Sequence, residues 1–428
     1  MIGQLTRNTL WLLSGNIGSA LLSFLLTVLI ARGLGERSIG VYGVVMAWVL
    51  SVRLLAEFGI NTLLTRDVAA DSDTGTDYLT QTHGLRAALG VAGWGALWLS
   101  APVISRDPLV VAGLRISAPL VFVEPFFGAL TAIFRARQRM WPIPALGIGM
   151  LGLQAVLVAL VLASRGDILA VLYINLGTSA LQALVAYAIY RWQFWRPATG
   201  LTLSLTWALR RAWPFALAAV LATLQARVGL MLLARLADTA QAGYFTASAR
   251  FVEAIRLLPM AYFNALLPLL AALAAEPERL QRLFRRTIML LLAGGGAVAL
   301  AGLALSQPLV TLVLGEAFLP AAVVLQVALW GLVPGLVRGA WTLYGYALKQ
   351  ESRVNVVLGS ALVAHLAGGL LLIPAYGALG AALAGLLSEC WAVGIFWLWD
   401  RKTKTGTPVP GGAPASIDST RADYSSPR

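Results

Sequence analysis

Apolar residues run in near-continuous stretches of about 20, each long enough to cross a hydrocarbon core as a helix, and short polar clusters separate them along the whole chain. The pattern predicts spans over 9–31, 39–62, 84–105, 109–134, 142–164 and 168–190, then over 212–235, 242–272, 287–306, 318–347, 354–374 and 377–399. The stretches do not alternate with period two, which rejects a membrane β-barrel. Backbone groups in lipid must be satisfied within a helix or within a closed barrel, so with the barrel rejected helices remain. The expected fold class is therefore an all-α polytopic membrane protein with about 12 transmembrane helices. The eighth and tenth spans are long enough to tilt or to project from the bilayer.

A gapless shift of 203 residues superimposes the start of each half of the chain. Residues 29–42, LIARGLGERSIGVY, fall on residues 232–245, LLARLADTAQAGYF. Ala31-Arg32 meets Ala234-Arg235, Gly40 meets Gly243, and Arg53-Leu54-Leu55 meets Arg256-Leu257-Leu258. Six spans separate the copies, so the halves share one orientation and are expected to form two pseudo-symmetric six-helix bundles, a known transporter plan. The expected organisation is an N-terminal lobe over 1–195, a linker over 196–211, a C-terminal lobe over 212–400 and a disordered tail over 401–428 rich in Pro, Gly, Ser and Thr.

Composition agrees: 59% of the 428 residues are hydrophobic and 12% are charged, about half the charged fraction of a soluble domain. The net charge of +13 would point to nucleic acid in a soluble protein. Here the cations sit mainly in loops on alternate sides, so they report topology and no nucleic-acid partner is expected. One side holds Arg135, Arg137 and Arg139, then Arg191, Arg196, Arg210 and Arg211, then Arg279, Arg282, Arg285 and Arg286; the other holds Arg32, Arg37, Arg106, Arg165 and Arg235. This bias places both termini in the cytoplasm. The single Cys390 excludes an internal disulfide, and His83 and His365 lie too far apart to suggest a metal cluster. No phosphate-cradling motif, catalytic triad or large catalytic loop is present, so no cofactor is expected and a transporter is favoured over an enzyme.

Charges inside the spans are the candidate chemistry, because an arginine at mid-membrane costs about 2.5–3.5 kcal/mol on insertion scales. Arg53, Arg115, Arg227, Arg250, Arg256 and Arg338 fall there with Glu57, Glu124, Glu253 and Glu389. Arg53 and Glu57 are four apart and able to pair, Asn61 extends that face, and Glu253 lies three residues from both Arg250 and Arg256. Arginine exceeds glutamate, so Arg53, Arg227, Arg250, Arg256 and Arg338 are expected to line a cationic, hydrated cavity suited to phosphate, whose oxygens match the guanidinium fork. Glu57, Glu253 and Glu124 are candidates for ion coupling or ion pairing. Arg115 is expected to snorkel. Structural ion pairing between helices is the competing explanation for the same charges.

The first 70 residues carry a further pattern. Asn8, Trp11 and Asn16 open the first span, followed by Leu29-Ile30-Ala31-Arg32-Gly33-Leu34-Gly35, Ile39-Gly40-Val41-Tyr42, Glu57-Phe58-Gly59-Ile60 and Arg66-Asp67-Val68-Ala69. This order resembles the start of the oligosaccharide flippases of the polysaccharide transporter family, within the multidrug/oligosaccharidyl-lipid/polysaccharide superfamily. The resemblance implies a V-shaped, alternating-access carrier of a polyprenyl-diphosphate-linked oligosaccharide in the bacterial inner membrane. It implies polysaccharide polymerase and chain-length machinery as partners, and structural or gating roles for Arg32, Gly40, Gly59 and Arg66. A lipid II flippase, typically of fourteen spans, and a multidrug or cation antiporter are the related alternatives.

Overall fold

The computed structural model describes residues 2–57, 59–61, 64–65, 68, 75–195, 197 and 205–404. Among the described residues eleven α-helices follow one another, with no strand. They are α1 (Ile2–Glu57), α2 (Gly75–Ile104), α3 (Pro108–Ser117), α4 (Leu120–Ala136), α5 (Pro142–Ala163) and α6 (Ile168–Ile189), then α7 (Leu205–Leu236), α8 (Thr239–Ala272), α9 (Pro277–Leu314), α10 (Leu319–Ala347) and α11 (Glu351–Lys404).

These helices correspond to the twelve expected spans, with 58 and 62 of the second lying outside the described residues. α1 is broken at Gly35 (φ 79°) and α11 at Gly377 (φ 55°), so each supplies two crossings. Only glycine adopts such a conformation without strain. The fourth span is divided at Ala118-Pro119 into α3 and α4, because the proline ring removes a helical hydrogen bond. α9 runs for 38 residues, well beyond the expected 287–306. Its first turns are polar and project past the apolar stretch, where hydropathy sees no helix. The tail expected from 401 begins as helix up to Lys404, and 405–428 lie outside the described residues; half of the expected linker over 196–211 lies outside them too, and its last residues, 205–211, already belong to α7.

Helix starts at the Gly35 end are capped by acids. Asp107, Asp167 and Asp238 accept hydrogen bonds from the backbone amides of Leu109, Ala170 and Gln241 at 2.9, 3.0 and 2.8 Å. Such caps satisfy amides that have no helical partner.

α1–α6 form one lobe and α7–α11 the other, and α1 joins them by packing along α7 and α8. The join is reciprocal. A Cβ on Gly40 would fall on the Thr239 carbonyl oxygen, and a Cβ on Gly243 would fall on the Glu36 carbonyl oxygen. Glu36 and Thr239, like Gly40 and Gly243, are one repeat length apart. A Cβ on Gly43 would collide with Thr246, again its repeat mate. The pseudo-two-fold therefore passes through this contact, and the glycines are required because backbone meets backbone there.

Candidate functional site: a basic cavity in the C-terminal lobe

α7, α8, α10 and α11 surround a cavity of about 250 Å³, closed on one side by Gly43 and Met46 of α1. Arg227, Arg250, Arg256 and Arg338 all line it, with Glu253 and Glu389. Glu253 serves two cations: its carboxylate oxygens lie 3.4 Å from Arg227 Nη1 and 2.8 Å from Arg250 Nη1. Arg338 donates through Nε and Nη2 to both oxygens of Glu389, the second at 3.1 Å. Arg256 is exposed to the cavity and makes no hydrogen bond or ion pair with the described residues, although Glu389 and Arg338 flank it. Four arginines against two glutamates leave two positive charges in excess. An anion with several oxygens would satisfy that excess.

The other expected residues lie elsewhere. Arg53 does not pair with Glu57 and is absent from the cavity wall. It donates instead to Glu124 of α4, whose carboxylate the tertiary packing brings across. Glu57 accepts from Asn61 Nδ2 at 2.7 Å, and Asn61 Oδ1 accepts from Arg86 Nη1 at 2.6 Å. In the N-terminal lobe Arg53 thus meets Glu124, and Arg86 reaches Glu57 through Asn61. Arg115 stacks over the Trp98 ring at 4.6 Å. Gly59 takes a positive φ of 69° where the second half of α1 ends. Arg66 lies outside the described residues.

Two buried residues escaped the sequence reasoning. Arg86, 6% exposed, sits just inside the expected start of the third span, where it reads as a boundary cation. His365, 7% exposed, lines the basic cavity with neither ring nitrogen hydrogen-bonded among the described residues. Beside it, Gln225 Nε2 donates to Ser388 Oγ at 3.1 Å while Gln225 Oε1 has no partner among the described residues. A lone histidine carries no periodic signal; only its neighbours reveal it.

Polar contacts latch the lobes together at the Gly35 end. Arg32 donates across the interface to the Leu312 and Val313 carbonyls at the end of α9, which lack helical partners. Asp107, outside the spans, accepts from Arg37 Nη2 at 3.0 Å and, across the interface, from Thr239 Oγ1 at 2.6 Å. Partial burial raises its pKa, but hydrogen bonds from Thr239, Leu109 and Arg37 outweigh this and hold it below the usual carboxylate value. A lowered pKa in the latched state means that unlatching binds protons. The latch is then intact above the ordinary value of about 3.9 and fails as pH falls through the lowered one. Spin labels across this end should report an unchanged separation from neutral pH down to about 5, with opening only below about 4. Opening already at neutral pH would show that Asp107 does not govern the latch.

The comparisons with known proteins fit this geometry. The family model described as polysaccharide biosynthesis protein matches residues 5–274, more than half of the chain. The chain belongs to the polysaccharide biosynthesis protein family. No curated protein matches this family member in sequence. Its fold is that of multidrug/oligosaccharidyl-lipid/polysaccharide transporters. A structure of the lipid II flippase MurJ in an inward closed conformation aligns with TM-score 0.73 at 15% identity, covering 91% of this chain and 86% of MurJ. An inward-facing multidrug MATE transporter of the same superfamily aligns with TM-score 0.72 at 14% identity, covering 92% and 98%. A superfamily transporter from Pyrococcus furiosus, described as having a binding pocket of reverse polarity, aligns at 0.63 and 14% identity, covering 94% and 95%.

Proposed function

We propose that this family member is a flippase that moves a polyprenyl-diphosphate-linked oligosaccharide, of the O-antigen, capsule or exopolysaccharide type, across the bacterial inner membrane by alternating access. The single observation behind this reading is the unpaired Arg256 in a cavity with an excess of two positive charges. The diphosphate binds Arg256 with Arg227 and Arg250, while His365 and Gln225 offer hydrogen-bonding groups to the first sugar. The loop-charge bias favours cytoplasmic termini, which makes the Gly35 end periplasmic and the latched form the one that receives substrate from inside. In line with this, a MATE transporter in an outward-facing form aligns at only 0.62, against 0.72 for an inward-facing one. A cation antiporter is less well supported, because Glu253 and Glu389 are already engaged by arginines. Polymerase and chain-length proteins would act on the exported product.

Arg256→Ala tests the reading. A charge-assisted hydrogen bond contributes about 1.5–3 kcal/mol, so translocation of a lipid-linked saccharide into proteoliposomes should slow roughly 10- to 100-fold. Arg256→Lys should restore part of the rate, since it keeps the charge but loses the fork. Full transport by Arg256→Ala, Arg227→Ala and Arg250→Ala alike would remove the anion-binding role.

A further inference from the structure

On the opposite face of α10 and α11 from the basic cavity lies a second, larger concavity of about 1110 Å³, bounded also by α9. Its walls are aromatic and aliphatic. Trp341 stacks parallel to Phe396 at 5.9 Å and packs edge-on to Phe284 at 4.6 Å, while Trp330 and Trp397 remain 40% and 47% exposed. Charge sits only at the end away from Gly35. Arg285, in the early turns of α9, is exposed and makes no hydrogen bond or ion pair with the described residues. Arg401 lies 3.6 Å over the Trp397 ring, and Gln281 and Asp400 complete the mouth.

The groove and the cavity share one wall. Leu386 lines both. Val337 faces the groove and its neighbour Arg338 the cavity; Cys390 faces the groove and its neighbour Glu389 the cavity. A chain in the groove would therefore lie one helix away from the phosphate-binding arginines.

We infer that this groove binds the polyprenyl chain of the lipid-linked substrate, with Arg285 and Arg401 meeting the diphosphate at the membrane surface. The inference rests on the flippase reading and adds where the carrier lipid docks before its head group enters the cavity. The chemistry matches at both ends: an apolar channel within the membrane suits a long hydrocarbon, and an unpaired guanidinium at its mouth suits an anionic head. The volume exceeds that of common small-ligand pockets, at about 300–1,000 Å³, as a long chain requires. A bulk phospholipid would fit the head and tail rule, but nothing would then account for placing the groove against the cationic cavity.

Cys390 is the only cysteine in the chain and is exposed in this groove, so the unaltered protein carries its own reporter. With C55 polyprenyl diphosphate at ten times its Kd, maleimide labelling of Cys390 should slow about tenfold, as simple occupancy demands. Inorganic diphosphate should give no protection. Gly394→Phe should weaken C55 polyprenyl diphosphate binding at least tenfold while leaving inorganic diphosphate binding unchanged, because no atom lies within 4 Å of a Cβ at Gly394. Arg285→Gln, at an exposed position, should weaken the diphosphate lipid but not the C55 alcohol, whatever the fate of the Gly394 variant. Binding of C55 polyprenyl diphosphate without protection of Cys390 would overturn the groove and leave the flippase reading standing. Equal protection by phosphatidylglycerol would overturn it in favour of a general lipid site. Failure of the lipid to bind at all would remove both.

Discussion

Gly40→Leu is expected to abolish transport while leaving each lobe folded. The Cβ of any residue at 40 would occupy the Thr239 carbonyl oxygen, and a backbone atom within a helix cannot rotate aside as a side chain would. Overpacking of a core costs about 1–3 kcal/mol where neighbours can yield; here relief requires the lobes to separate. The latched form should therefore be depopulated at least about 100-fold, equivalent to about 2.7 kcal/mol. Labels at Arg106 and Ala317, exposed on the two lobes at this end, should show a longer separation in the variant. Gly243→Leu should behave alike, because the contact is reciprocal. A longer separation with a wild-type rate would mean that the latched form is no part of the cycle, and a wild-type separation would show that the contact at Gly40 tolerates a side chain.

The second large effect concerns stability. Glu389 and Arg338 form a two-point pair with side chains only 12% and 22% exposed. Removing one partner of a buried pair costs about 3–5 kcal/mol, because the remaining charge is stranded. Glu389→Gln strands Arg338 beside Arg256, so it should lower the thermal midpoint in detergent sharply. Water in the cavity favours the lower part of that range. Arg256→Ala should leave the midpoint unchanged or raise it, since it removes a partly desolvated cation that makes no direct hydrogen bond or ion pair with the described residues and whose attraction to Glu389 is opposed by Arg338. The two variants separate the roles: Glu389 holds the site together, and Arg256 is free to act on a ligand. Equal losses of stability in both would show that Arg256 is structural.

The cavity arginines were partly legible because charge within an apolar stretch is conspicuous and costly. Arg227, Arg250, Arg256 and Arg338 stand out on that ground alone, and all four meet in one space. Arg53 stood out equally and does not join them. Spacing offered it Glu57 on the same helix, whereas the folded chain offers Glu124 from α4. Residues four apart are neighbours in any helix, but a better-placed carboxylate on another helix cannot be read from spacing. His365 and Arg86 were missed for a related reason, since each looks ordinary until its surroundings are known.

Hydropathy by itself determined that the chain crosses the membrane about twelve times as helices, because lipid admits only helices and closed barrels and the apolar runs do not alternate as barrel strands do. The gapless repeat determined that the halves are alike and similarly oriented. Only the tertiary structure decided that Gly40 and Gly243 touch on the axis, which arginine lacks a partner, and that a second groove backs onto the basic cavity. The division has a physical cause: burial of the backbone in lipid is a property of each segment alone, whereas charge pairing and close approach depend on distances between segments that one-dimensional order does not contain.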